Sequence, residues 1–367
     1  MKHIKHKTVF TILFLLFSLT FSMTSLADSN NMTFSMGIVQ PENQFNKEVT
    51  YFDLLVKPNE TQKLEIIVSN TGDETKKIKV TPTNAITSTT GIIDYSVQAK
   101  GYEYDETLEI PFTSLVGEAQ TVEVPPGKSK TVTFEMTTPE KEFDGVILGG
   151  FVAELVEDNE VTNNESDLSF VNKFRFVKAI VIRNSEEKIA PVIKMNDVKP
   201  ALYTYRTAIV ANIQNTSPTL IGKTTFEAKI FKKGTTDVLK SASRDDIRLA
   251  PNSNFDFPIM WDNEPLRPGN YTIQMNVTAD EETFQFEKDF KITKAQSNSI
   301  NGKAVELKED KNRSWIYWLM GAILLIVVVV LIVVIVKQNK KNKRLAKKTK
   351  KATKNKSHKK SNKSRKK

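Results

Sequence analysis

Near its carboxyl end, the chain contains 22 consecutive residues without a charged side chain, from Trp315 to Val336. As an α-helix with a rise of about 1.5 Å per residue, this segment would be about 33 Å long, which is enough to cross a bilayer. Tyr317 and Trp318 lie near its start, where amphipathic rings favour the headgroup layer, and many lysines follow its end. Because positive residues stay inside the cell, the sequence predicts one transmembrane helix at 315–336 and a basic cytoplasmic tail at 337–367.

The amino terminus has the order of a secretory signal peptide. Three lysines precede an apolar run from Val9 to Phe21, and small or polar residues follow as far as Ala27. Because this run has about 13 residues and a bilayer requires about 20, we expect cleavage after Ala27 and assign residues 1–27 to the signal peptide. The alternative is an uncleaved N-terminal anchor. The segment between the two apolar runs is therefore expected outside the cell, in the cell wall.

The net charge of +10 is distributed unevenly along the chain. The tail holds 17 lysines and arginines and no acid, whereas all 43 acidic residues lie in the exported part beside 33 basic ones. An RNA-binding tail is one interpretation. A lysine-rich segment beside a membrane span more simply sets the topology and contacts anionic lipid. We therefore expect a membrane contact through one helix and no nucleic-acid partner.

Cysteine is absent, so the exported part cannot be stabilised by disulfides and must fold by burying apolar surface. Residues 28–314 are numerous enough for two domains of ordinary size. Exported proteins without cysteine are commonplace on Gram-positive cells, whereas small secreted animal domains tend to be rich in disulfides, so the composition favours a bacterium.

Alternation of apolar and polar residues dominates the exported part and predicts half-buried β-strands. Leu64, Ile66 and Val68 alternate with polar residues, and Tyr271 opens a similar strand after a Pro-Gly turn. Long amphipathic helical windows are hard to find, whereas turn clusters recur at the spacing expected of sandwiches. The predicted fold class is therefore all-β, with two tandem immunoglobulin-like β-sandwich domains followed by a single transmembrane α-helix.

Polar breaks indicate the domain boundaries. A polar run after an apolar strand ends near residue 187, which places the first sandwich at 28–187 and the second at 188–294. Residues 295–314 are polar and lack periodicity, so we expect a short stalk that joins the second sandwich to the membrane span. The acidic, asparagine-rich stretch at 157–167 predicts a long exposed loop.

The positions of histidine exclude several enzyme classes. The three histidines are His3, His6 and His358, so the mature exterior contains neither histidine nor cysteine. A Ser-His-Asp or Cys-His system cannot be built there, and the ligands that dominate zinc sites are missing. The sequence also lacks a calcium-loop pattern and a phosphate-binding glycine loop. We therefore expect no catalytic residues, no metal and no cofactor, with a cell-wall hydrolase that uses a carboxylate pair as the alternative.

Aromatic and glycine residues remain as candidates for binding. Tyr95 and Tyr102 lie in a predicted insertion between strands, where their rings either stack on a sugar or protein partner or cap the sandwich core. The run from Phe143 to Gly150 combines a turn with a buried strand. Its paired glycines favour a bulge or the close approach of another backbone.

Several motifs, taken in order, resemble the WxL-interacting proteins, which couple a WxL protein peptidoglycan-binding domain to a host-binding domain before a transmembrane anchor. In the first domain the resemblance rests on Gln40-Pro41-Glu42-Asn43-Gln44, Tyr51-Phe52-Asp53-Leu54, Gly91-Ile92-Ile93-Asp94-Tyr95-Ser96, the run from Phe143 to Gly150, and Val171-Asn172-Lys173-Phe174. In the second domain it rests on Val198-Lys199-Pro200, Asn212-Ile213-Gln214-Asn215, Ala250-Pro251-Asn252-Ser253-Asn254-Phe255 and Pro268-Gly269-Asn270-Tyr271.

The resemblance implies that the first domain contacts peptidoglycan and the second contacts partners such as host extracellular-matrix proteins, with WxL-domain surface proteins as companions. The chain has no Trp-x-Leu motif of its own, so it would be the anchored partner. The candidate binding residues are Asn43, Tyr51, Tyr95, Tyr102, Phe143, Asp144, Gly145, Gly149 and Gly150. The predicted function is a membrane-anchored binding or scaffold protein and not an enzyme. A surface receptor subunit is a further alternative, although the tail has too few apolar side chains to fold.

Overall fold

The residues described by the computed structural model are 33–156, 174–279, 282–308 and 314–361. The predicted signal peptide and the predicted loop at 157–167 lie outside these residues, as does most of the motif that begins at Val171.

The first sandwich is built from strands β1 to β10. Their bounds are β1 (Phe34–Val39), β2 (Phe52–Leu55), β3 (Thr61–Asn70), β4 (Lys76–Asn84), β5 (Ile86–Thr87), β6 (Ile93–Asp94), β7 (Gln120–Val124), β8 (Ser129–Thr137), β9 (Ile147–Leu155) and β10 (Arg175–Arg183). One sheet has the order β1-β3-β8 and the other has the order β2-β10-β9-β4-β7. Strand β10 pairs in parallel with β2 and antiparallel with β9. Strands β5 and β6 form a small separate ribbon.

The second sandwich is built from strands β11 to β17. Their bounds are β11 (Ile193–Tyr203), β12 (Arg206–Asn215), β13 (Ile221–Lys232), β14 (Val238–Leu249), β15 (Ser253–Met260), β16 (Gly269–Ala279) and β17 (Glu282–Ile292). One sheet has the order β11-β12-β15 and the other has the order β14-β13-β16-β17.

Each sandwich closes over its own apolar core. In the first, Leu64, Ile66 and Val68 of β3 are fully buried, as their alternation predicts. The rings of Phe134 on β8 and Phe151 on β9 lie 4.9 Å apart, which joins the two sheets. Full burial of side chains of this size contributes about 1.5–3 kcal/mol each. The second sandwich has a separate core that includes stacked phenylalanine rings. The predicted all-β fold with two sandwiches is confirmed.

The segment that we expected to form a stalk begins instead with a helix, α1 (Lys294–Lys303). The Thr293 hydroxyl accepts a hydrogen bond from the Gln296 backbone N–H, and the Gln296 side chain accepts one from the Thr293 backbone N–H. Ser297 is buried, and its hydroxyl donates to the carbonyl of Leu266 at 2.6 Å. Periodicity missed α1 because polar contacts, and not a broad apolar stripe, attach it to the second sandwich.

Helix α2 (Ser314–Ser361) contains the predicted membrane span. Its segment Tyr317–Arg344 is exposed and is long and apolar enough to cross a membrane. The helix continues into the lysine-rich segment, so that its 48 residues extend about 72 Å. This helix fits a single-pass membrane anchor.

Candidate functional site

The two sandwiches meet at a junction that includes paired backbone groups. The Val146 N–H donates to the carbonyl of Pro218 at 2.8 Å, and the Arg248 N–H donates to the carbonyl of Gly91 at 2.8 Å. Gly145 adopts a φ of +67°, and a Cβ atom there would lie 2.1 Å from the Pro218 carbonyl oxygen. Only glycine allows two backbones to approach this closely. The predicted site residue Gly145 therefore shapes the junction.

Buried side chains join the same surfaces. The hydroxyls of Thr87 and Ser253 lie 2.7 Å apart, and the Thr87 hydroxyl accepts a hydrogen bond from the Ala250 N–H at 2.9 Å. Thr87 and Ser253 are both buried, so water does not compete for these bonds. The motif at 250–255 therefore contributes to the contact between the sandwiches.

Asp105 connects a loop of the first sandwich to the second. Its carboxylate accepts hydrogen bonds from Asn254 Nδ2 at 2.6 Å and Gln214 Nε2 at 2.9 Å. The Thr107 backbone N–H and hydroxyl donate to the same carboxylate. Burial raises the pKa of Asp105, but the hydrogen bonds from Asn254, Thr107 and Gln214 favour the charged form and together bring the pKa below its ordinary value. Asp105 therefore acts as a charged acceptor between the two sandwiches.

A cleft of about 530 Å³, here named the Tyr cleft, opens beside the junction. The first sandwich contributes the predicted residues Tyr51 and Tyr95, and the second contributes Lys223 and Arg248. The other lining residues are Ile92, Ile93, Leu148, Ala179, Val181, Leu220 and Gly222. The Tyr cleft therefore combines aromatic rings, apolar surface and two cations.

Tyr95 lines the Tyr cleft and also packs, partly buried, against a small buried apolar cluster that includes Leu148. A Cβ atom at Gly150 would lie 2.9 Å from Tyr95 Cδ1, so this glycine makes room for the ring. Burial raises the pKa of Tyr95 to about 12, with a smaller contribution from Tyr51. The Tyr95 hydroxyl is therefore neutral at physiological pH and can donate a hydrogen bond.

Tyr102 lies apart from the lining of the Tyr cleft. Its side chain is 40% exposed, and its ring contacts the ring of Tyr104 edge-on at 4.9 Å between centroids. The structure therefore provides a second aromatic surface on the loop that carries Asp105.

Phe143 and Asp144 line a different cleft of about 730 Å³, here named the acidic cleft. Three further carboxylates line it, from Glu106, Glu109 and Glu142. Within the described ranges, no group of three or more acidic residues could hold a metal ion. The acidic cleft is thus separate from the tyrosine rings that line the Tyr cleft.

Gly149 and Asn43, the remaining predicted site residues, contact other parts of the first sandwich. A Cβ atom at Gly149 would lie 2.3 Å from the ring of Phe112, so Gly149 makes room for a core ring. Strand β9 pairs through Gly149 and Gly150 without a register shift, so of the two predicted alternatives the bulge is wrong. Another backbone does approach Gly150, since a Cβ atom there would lie 3.3 Å from the Lys178 carbonyl oxygen. Asn43 Nδ2 donates to the Leu55 carbonyl at 3.2 Å and holds the loop before β2.

Lys223 and Arg248 are site residues that the sequence analysis missed. Each is one of many basic residues, and neither lies in a motif of the WxL-interacting resemblance. The nearest sequence signal is the flanking Gly222, which marks a possible irregularity at the start of a strand.

Two protein-family models match the chain in order. Residues 34–154 match the WxL Interacting Protein peptidoglycan binding domain, and residues 165–302 match the WxL Interacting Protein host binding domain. No curated protein matches the chain at a significant level.

Solved structures to which the chain is similar include fimbrial chaperones. The class 5 fimbriae chaperone CfaA is 16% identical, with 70% of this chain and 98% of that chain covered and a TM-score of 0.28. The CupB2 chaperone of Pseudomonas aeruginosa is 16% identical, with coverages of 64% and 95% and a TM-score of 0.26. The E. coli chaperone DraB is 13% identical, with coverages of 70% and 98% and a TM-score of 0.24.

Proposed function

The chain belongs to the WxL-interacting protein family, and from this premise we propose that it is a membrane-anchored scaffold that binds peptidoglycan through the Tyr cleft. The matches to a peptidoglycan-binding and a host-binding domain support a binding role at the cell surface. The exposed apolar segment of α2 fits the anchor of such a protein.

The finer parts of this proposal concern partners and topology. The first domain, at 28–187, binds peptidoglycan, and the second, at 188–294, binds WxL-domain surface proteins and host extracellular-matrix proteins. Both domains lie outside the cell membrane, and the tail at 337–367 lies in the cytoplasm. The domain names and the charge asymmetry around the span support these assignments.

The residues that line the Tyr cleft are the main support for the proposed function. Its rings, Tyr51 and Tyr95, provide flat apolar faces with polar tips, which suits the apolar face and the hydroxyls of a sugar ring. Ile92 is 56% exposed and Leu220 is 42% exposed at the same cleft. Exposed apolar side chains gathered at a concave site are typical of a binding surface.

A sedimentation assay tests this function. The full chain in detergent micelles should sediment with purified peptidoglycan, and the Tyr51→Ala variant should sediment at least fivefold less. Tyr205→Ala is the matched control, because Tyr205 is 73% exposed and does not line the Tyr cleft. Equal sedimentation of all three proteins would reject the Tyr cleft as the site. Failure of the unaltered chain to sediment at any salt concentration would reject peptidoglycan binding itself.

A further inference from the structure

Both cations of the Tyr cleft come from the second sandwich. Lys223 and Arg248 are exposed, and neither forms an ion pair with the residues that the structure describes. Among those residues, no aspartate or glutamate lines the Tyr cleft. The exported part as a whole has more acidic than basic residues, so a cleft with two cations and no acid differs from the average composition of the exported part.

Irregular pairing directs these two side chains to the cleft. The register of β13 with β14 shifts between Ile221 and Thr224, and it shifts again immediately after Thr224. Lys223 lies within the first shift and adopts a φ of +52°. Asp246, next to the paired residue Ile247, adopts a φ of +57°.

This conformation is unfavourable for a lysine, whereas aspartate adopts it more readily, and strained backbone of this kind is enriched at functional sites. Bulges also change the direction in which the neighbouring side chains point. The local distortion therefore accompanies the placement of Lys223 and Arg248 in the same cleft as the rings of the first sandwich.

We propose that the Tyr cleft selects a saccharide that carries carboxylate groups, with the rings on the sugar and with Lys223 and Arg248 on the carboxylates. Arg248 offers a planar fork that matches a carboxylate, and Lys223 offers a compact positive charge. Peptidoglycan carries its free carboxylates on the peptide substituents of the glycan, so the inference rests on the proposed function and refines it. It adds that the second sandwich contributes directly to glycan recognition.

Isothermal titration of the full chain in micelles tests this selectivity. The ligands are soluble muropeptides, neutral N-acetylglucosamine oligomers and glycerol-phosphate oligomers, which supply carboxylate, neutral and phosphate groups. We expect saturable binding of muropeptides at least tenfold tighter than binding of either other ligand. The same or tighter binding of the phosphate oligomers would overturn the carboxylate assignment, and the absence of muropeptide binding would overturn the inference.

A double variant, Lys223→Gln with Arg248→Gln, should weaken muropeptide binding at least tenfold, to about the affinity for the neutral oligomers. The matched control removes two exposed lysines that do not line the Tyr cleft, Lys229→Gln with Lys291→Gln, and should bind muropeptides normally. Equal muropeptide binding by both double variants would overturn the inference. If both double variants also sediment with intact peptidoglycan while Tyr51→Ala does not, the proposed function stands without the charge selectivity.

Discussion

Asn254 Nδ2 of the second sandwich donates to Asp105 Oδ2 of the first at 2.6 Å. This bond belongs to a network, because Asn212 donates to Asn254 and Gln214 donates to Asp105. The network joins the loop that carries Asp105 to the sheet formed by β11, β12 and β15. The two sandwiches, and therefore the two sides of the Tyr cleft, are held together in part by a carboxylate.

Replacing Asp105 with asparagine should loosen the junction. An amide in place of the carboxylate offers one acceptor oxygen and places an NH2 group beside donors from Asn254 and Gln214. Hydrogen bonds to a charged group contribute about 1.5–3 kcal/mol when they are desolvated, and Asp105 is only partly buried, so we expect the free energy of unfolding to fall by about 1 kcal/mol. Thermal unfolding followed by circular dichroism measures it. The control is Asp144→Asn, an exposed carboxylate of the acidic cleft, and an equal loss there would contradict the junction role.

Acidification should weaken the same contact. The folded-state pKa of Asp105 lies below its ordinary value of 3.8, because the hydrogen bonds that favour the charged form outweigh burial. A carboxyl group with a lowered pKa contributes its stability above the unfolded-state pKa and loses it as the pH falls through the folded-state pKa. The stability difference between the unaltered chain and Asp105→Asn should therefore be largest above about pH 5 and shrink below about pH 4. A difference that stays constant from pH 7 to pH 3 would exclude this mechanism.

Gly145→Ala tests the close approach of the two backbones. The added Cβ atom would meet the Pro218 carbonyl oxygen at 2.1 Å, so the junction must open by more than an ångström to accept it. Gly101→Ala is a matched control, because Gly101 also has a positive φ, +85°, but has open space around it. Both variants carry backbone strain of about 1 kcal/mol, so strain alone does not distinguish them. Only Gly145→Ala should increase hydrogen exchange at the Val146 amide, because only this variant disturbs the bond from Val146 to Pro218. Similar exchange in both variants would show that the junction tolerates the contact.

Alanine substitutions at Gly149 and Gly150, the adjacent glycines of β9, should differ in their effects on stability and on peptidoglycan binding. A Cβ atom at Gly149 meets the buried Phe112 ring at 2.3 Å, so Gly149→Ala should destabilise the first sandwich by about 1–3 kcal/mol. A Cβ atom at Gly150 meets the edge of the Tyr95 ring at 2.9 Å, so Gly150→Ala should chiefly move this ring and reduce peptidoglycan sedimentation. Unfolding and sedimentation measured on both variants separate the two effects. Gly37→Ala, which has open space around its Cβ position, is the control.

The strands could be predicted from the sequence because their burial follows a period of two. The alternating residues Leu64, Ile66 and Val68 are buried as expected, and the apolar span lies within α2. The helix α1 could not be predicted in this way, since Ser297 attaches it through a hydrogen bond that no periodicity reveals.

The candidate site could be predicted only in part. The motifs contained Tyr51 and Tyr95, but their common cleft depends on strand pairing that is distant in sequence. Lys223 enters the cleft because of a bulge and a left-handed backbone conformation, and neither is encoded in a pattern of residue types. The role of Asp105 could not be predicted either, because nothing in the sequence distinguishes this carboxylate from the other acidic residues, of which the chain has 43 in total.

The alternative of a wall-cleaving enzyme leads to a final prediction. Such an enzyme needs a pair of carboxylates at the sugar bond that it binds. Among the described residues, the carboxylates of Glu142 and Asp144 line the acidic cleft, whereas Tyr51 and Tyr95 line the Tyr cleft, which contains no acid. Because the groups suited to binding a sugar and to cleaving one lie in different clefts, we expect the full chain to release no muropeptides from peptidoglycan. Chromatography of the soluble fraction after prolonged incubation measures this. Release that disappears in a Glu142→Gln with Asp144→Asn variant, but persists in Asp105→Asn, would establish catalysis in the acidic cleft.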